Sequence, residues 1–147
     1  MCAIFINTDP HLYVSRTRSV RLHGAVTSIR LENLFWEVLT EIATRDKLTL
    51  VQLIETLYDE LSEARETVSN FASFLRVSAL RYMALQAYRG VPMDATVPIR
   101  SLNPDAALSS LPPHWQRAGQ DEQAEIREST GTAPSRKPSP GNRSSRT

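Results

Sequence analysis

The sequence predicts a mainly α-helical protein with one short β-strand, and three observations carry that prediction. Between Asn33 and Tyr88 three segments place apolar residues at helical spacing; residues 25–32 instead alternate in period two; and beyond Gly90 the composition turns rich in proline and serine. With 147 residues, 41% of them hydrophobic and 22% charged, the chain has room for one modest domain and a tail. The boundaries that follow are a basic N-terminal arm over 1–24, a folded domain over 25–90 and a tail over 91–147.

Ala25-Val26-Thr27-Ser28-Ile29-Arg30-Leu31-Glu32 puts Ile29 and Leu31 on one side and Ser28, Arg30 and Glu32 on the other, the signature of a half-buried strand. The first helix opens after Glu32-Asn33, with Asn33 a candidate cap, and carries Phe35, Val38, Leu39 and Ile42 to about Asp46. Thr49 is a good N-cap for the second, in which Leu50, Leu53, Ile54, Leu57 and Leu61 form one buried stripe. The third starts near Ser69 or Asn70, runs through Phe71, Phe74, Leu75, Val77, Leu80 and Leu85, and is stopped by Gly90 and Pro92. Its Phe71, Phe74 and Leu75 read as core. Eight of the nine prolines lie from position 92 onward, so 92–147 is expected to be mostly disordered, apart from a short helix that Pro104-Asp105-Ala106-Ala107 can start.

The strand has no evident partner, and a strand with its ladder bonds unmade is untenable. Pairing with the same strand of a second copy, antiparallel across a two-fold axis, solves this and predicts an intertwined homodimer with an intermolecular two-stranded ribbon. Residues 25–64 are also only 40 positions, close to the limit for an independent core, and Trp36, Phe35, Leu39, Ile42, Leu53, Ile54 and Leu57 from two copies would share one interior. The alternative is that the third helix closes the core within one chain.

Charge is local. Residues 1–31 hold Arg16, Arg18, Arg21 and Arg30 against Asp9 alone, a net +3, and residues 136–147 hold Arg136, Lys137, Arg143 and Arg146 with no acid, while the whole chain sums to +1. No apolar stretch approaches the roughly 20 residues needed to cross a bilayer, and MCAIFINT lacks the pattern of a secretory signal, so no membrane contact and a cytoplasmic location are expected. The one cysteine, Cys2, fits a reducing compartment. No GxxxxGK[ST], GxSxG, HExxH or CxxC occurs, and His11, His23 and His114 are too dispersed for a local zinc site. No enzyme activity, metal or cofactor is expected.

Strand, helix, a turn of Asp46-Lys47-Leu48 and a second helix opening with Thr49 resemble the ribbon-helix-helix proteins of the Arc, MetJ and CopG type. Arg18-Ser-Val-Arg-Leu-His-Gly24, TSIRLE, FWEVLTEIA and NFASFLR resemble the bacterial subgroup with an added third helix, over about residues 18–85. Lys47 departs from the pattern, since glycine often sits between the two helices. The resemblance implies binding of double-stranded DNA by a strand ribbon in the major groove, which admits two strands. On the outward parity Arg30 can fork onto a guanine, Ser28 can donate or accept, and Val26 can meet a thymine methyl. An ion pair of Arg30 with Glu32 or Asp46, and a merely surface role for Ser28 and Val26, are the plain alternatives. Thr49 caps its helix, and the free amides of Leu50 and Val51 can hold a phosphate, as can Arg16, Arg18 and Arg21 in the basic arm. His23 is expected to pack or make a surface hydrogen bond.

The function this supports is a homodimeric, sequence-specific DNA-binding protein, a transcriptional repressor by family habit. An antitoxin-like or adaptor protein whose tail binds a protein partner is the alternative, and nonspecific binding through the basic flanks is a third.

Overall fold

The computed structural model describes residues 2–65 and 67–116. Two short helices, α1 (Cys2–Ile6) and α2 (Pro10–Tyr13), lead into strand β1 (Ser15–Leu22), which turns back at once into β2 (Ala25–Glu32). His23 and Gly24 form that turn with φ of 48° and 82°. Two successive residues at positive φ match the twist of a tight hairpin, and histidine enters that region more readily than most side chains. The strands pair antiparallel from Leu22↔Ala25 out to Ser15↔Glu32.

This hairpin corrects two sequence expectations. Residues 1–24 are not a loose basic arm, because β1 occupies 15–22. Nor does β2 need a second molecule for its ladder: it zips onto its neighbour inside the same chain, so the intermolecular ribbon is replaced by an intramolecular one. The opposite edge of β2 is also engaged, since Arg76 Nη2 donates to the Arg30 carbonyl at 3.2 Å.

Helix α3 (Asn33–Arg45) follows directly. Asn33 is not its cap. The N-cap is Glu32, and Asn33 is buried with its amide donating to the His11 carbonyl at 2.9 Å, which hangs α2 on the start of α3. The helix ends in a Schellman motif: Leu48 N–H donates to the Ala43 carbonyl (2.8 Å) and Lys47 N–H to that of Thr44 (3.0 Å). Lys47 has φ 58°, so lysine adopts the left-handed conformation that glycine would take without strain.

Helix α4 (Leu50–Ala64) opens with a full capping box: Thr49 Oγ1 accepts from Gln52 N–H (3.2 Å), and Gln52 Oε1 accepts from Thr49 N–H (2.8 Å). Helix α5 (Phe71–Ala87) is capped by Asn70, one of the two residues near which the sequence predicts its start, and supplies Leu75 and Ala79 to the core. Leu31, Leu39, Ile54 and Leu75 are the largest fully buried side chains, one each from β2, α3, α4 and α5. Each such burial contributes about 1.5–3 kcal/mol. The third helix therefore closes the core within one chain, the alternative that an unpaired strand had argued against.

The chain beyond α5 also departs from expectation. Residues 91–116, expected to be mostly disordered, carry a 3₁₀ turn at Ile99–Ser101 and helices α6 (Pro104–Ser109) and α7 (Pro113–Gln116). Buried Arg45 holds the segment that leads into them: Nε donates to the Val97 carbonyl (2.6 Å) and Nη2 to those of Pro92 and Asp94 (2.8 Å each). Its Nη1 meets the Tyr82 hydroxyl at 3.3 Å, which in turn donates to Glu41 at 2.6 Å. Asp46 Oδ1 accepts from Ile99 N–H at 2.6 Å. A charge at position 45 satisfied by backbone about fifty residues away leaves no hydrophobic pattern to read. The expectations for 117–147, including its basic cluster, lie outside the described residues.

Candidate nucleic-acid interface

The register sorts the hairpin into two faces. Opposed residues share a face, so Val20, Leu22, Ile29 and Leu31 turn inward and are buried. Outward lie Thr17↔Arg30, Ser19↔Ser28 and Arg21↔Val26, all six exposed. The predicted base-contact residues Val26, Ser28 and Arg30 thus share one solvent-facing surface. Sequence reasoning missed Thr17 and Ser19, which face Arg30 and Ser28, and placed Arg21 in an arm, whereas it stands on this same face.

No acid interrupts these three pairs. Glu32, the next outward residue of β2, is engaged by Arg76 through Nε (2.8 Å) and Nη2 (3.3 Å), and Asp46 is occupied by the Ile99 amide. Both candidate ion-pair partners of Arg30 are therefore taken, and among the described residues Arg30 makes no salt bridge. The Arg76 guanidinium also holds the Glu32 carboxyl below its usual range.

The hairpin tip is pinned to the helices. His23 Nε2 lies 2.6 Å from Asp59 Oδ1, and an edge-to-face series runs from His23 to Tyr58 (5.1 Å) and on to Phe71 (5.2 Å), which stacks on Phe74 (5.8 Å). Ribbon, α4 and α5 share this cluster, so the outward face sits on a braced support.

A tight two-residue turn makes Leu22↔Ala25 a hydrogen-bonded pair, so the backbone groups of Thr17, Ser19 and Arg21 point away from β2 along an open edge of β1. Beside that edge, a cavity of about 500 Å³ is lined by Arg18, Ser19, Val20, Thr49, Leu50 and Val51. Of the residues expected at phosphates it gathers Arg18, Leu50 and Val51 with the cap residue Thr49, and it leaves out Arg16 and Arg21. The Thr49 hydroxyl is used in the cap. The first amides of α4, on Leu50 and Val51, have no intrahelical acceptor and lie at the positive end of the helix dipole.

Among the described residues no helix is long and apolar enough to cross a membrane, and no group of three His, Cys, Asp or Glu is placed to hold a metal.

The ribbon-helix-helix domain family matches residues 15–83, so the match opens on the first residue of β1 and closes inside α5. A solved structure of an uncharacterized protein from Bordetella pertussis Tohama I is 54% identical, with a TM-score of 0.77 over 80% of this chain and 94% of that one. No curated protein matches the chain. Hairpin, helix pair, added helix and these two likenesses agree: the chain belongs to the ribbon-helix-helix domain family, whose members are typically DNA-binding transcription regulators that form dimers and are not enzymes.

Proposed function

We propose that this protein is a sequence-specific DNA-binding transcription regulator that lays the outer face of its own β-hairpin into the major groove. The observation that carries the reading is the exposed, acid-free surface formed by Thr17, Ser19, Arg21, Val26, Ser28 and Arg30. A major groove admits a two-stranded ribbon, and this chain builds one by itself. Arg30 forks onto a guanine, Ser28 and Ser19 donate to or accept from neighbouring base edges, and Val26 meets a thymine methyl. The cavity between β1 and α4 takes a backbone phosphate on the Leu50 and Val51 amides with Arg18 alongside, fixing the register of the ribbon. Occupancy then represses by blocking transcription initiation.

The homodimer no longer rests on an unpaired strand. It is supported by the habit of the family and by Val77, Leu80 and Met83, apolar residues 58%, 51% and 47% exposed along one side of α5. Two copies would read an inverted repeat.

Selection of duplexes from random DNA tests the reading. The wild-type protein should enrich a short inverted repeat. Arg30→Ala should lose about 1–3 kcal/mol of discrimination at one base pair per half-site while keeping salt-dependent affinity for any duplex. Equal enrichment by both proteins would refute the role of Arg30, and no enrichment by either would leave only nonspecific binding.

A further inference from the structure

Arg16 and Arg18 project from the inward parity of β1, opposite the face that carries Arg30. They border a cleft of about 260 Å³, walled also by His11 from α2 and by Asn33, Trp36 and Glu37 from α3. The Arg18 guanidinium lies 5.3 Å over the Trp36 ring. Stacking fixes the plane of the guanidinium while leaving its edge N–H donors free, the pre-organised state for bidentate capture of a carboxylate. Among the described residues Arg16 and Arg18 form no salt bridge, even though Glu37 shares the cleft.

The walls are built rather than incidental. Trp36 is 3% exposed and its Nε1–H donates to the Arg16 carbonyl at 2.9 Å, which locks the indole to β1. Asn33, 6% exposed, ties α2 across the opening through the His11 carbonyl, and its amide lies 3.3 Å from His11 Nε2. Thr40 completes the lining with its hydroxyl turned back onto the Trp36 carbonyl at 2.7 Å, which leaves its methyl for the cleft. Two cations against one acid, an indole edge, a methyl and arginine methylenes suit an anion with a flat apolar body.

We propose that this cleft binds a small organic carboxylate, its carboxyl group on Arg16 and Arg18 and its body against Trp36 and Thr40. The site lies outside the base-reading surface but shares Arg18 with the proposed phosphate cavity, so it is tested on the protein without DNA.

The Trp36 indole N–H, bonded to β1 at the cleft, reports occupancy in a ¹H–¹⁵N spectrum, and Trp115→Phe removes the other indole signal. Four probes separate the chemistry: benzoate, acetate, inorganic phosphate and benzamide. Benzoate is expected to shift the Trp36 signal saturably, with half-saturation at or below about 1 mM, and the other three roughly tenfold more weakly or not at all. Arg16→Ala, and Arg18→Lys, which keeps the charge but loses the fork, should each weaken benzoate roughly tenfold with the rest of the spectrum in place. Arg30→Ala should respond as wild type. Equal response to all anions, no saturable shift with benzoate, or full retention in both arginine variants would overturn the site.

Discussion

Lys47 holds a left-handed backbone at φ 58° that suits a residue without a Cβ. The family-like turn is therefore made in spite of the lysine, at a local cost of about 1 kcal/mol. Lys47→Gly should raise stability by about 0.5–1 kcal/mol in denaturant melts, and a loss would show that the Schellman geometry is not what constrains this position. Gly90 is the converse. It follows Arg89, which carries the positive φ at the end of α5, and a Cβ on Gly90 would collide with the Ala107 carbonyl and the Ser110 hydroxyl, so glycine is needed there for close packing of α6. Sequence reasoning saw a helix stop at Gly90 and was right about the place, but the left-handed residue is its neighbour.

At the scale of elements, the bond between Glu32 and Arg76 bolts α5 to the end of β2. The Glu32 carboxyl titrates below its usual 4.5, so its contribution is fully present above that value and fades as pH falls through the lowered folded value. Arg76→Ala should cost about 1 kcal/mol or less at neutral pH, and the gap from wild type should close as the solution is acidified through the lowered folded value of Glu32. A gap constant with pH would mean that Arg76 acts through packing alone. Helix α4 was legible because its cap, Thr49, precedes an apolar stripe, and α5 because Asn70 precedes a run rich in apolar residues. Strand β1 was not. Its inward positions begin with Arg16 and Arg18, so only Val20 and Leu22 show apolar alternation, and His23-Gly24 lacks the Asn or Asp that usually marks a two-residue turn. The outward trio of β2 could still be placed, since strand parity does not depend on which strand lies alongside.

For the whole molecule, the domain ends later than its composition suggests. Cutting after Gly90 removes the carbonyls of Pro92, Asp94 and Val97 and strands the Arg45 guanidinium in the interior. A chain of residues 1–90 should lose about 3 kcal/mol or more, whereas residues 1–116 should melt like the full chain. Equal stability of the shorter piece would show that Arg45 finds other partners. Association is a separate matter. Leu80→Glu sets a charge in the exposed stripe of α5, and sedimentation should show it shifted toward monomer with its fold retained. Wild-type behaviour of that variant would place the contact between copies elsewhere.

On the proposed reading, the turn at His23 and Gly24 lets each chain fold its hairpin alone, so a solitary protomer at low concentration already carries a finished surface for scanning a duplex. Half-site capture can then come before the meeting of two copies, with the inverted repeat itself drawing them together. Occupancy would climb steeply with protein concentration while the first, weaker engagement stayed proportional to it.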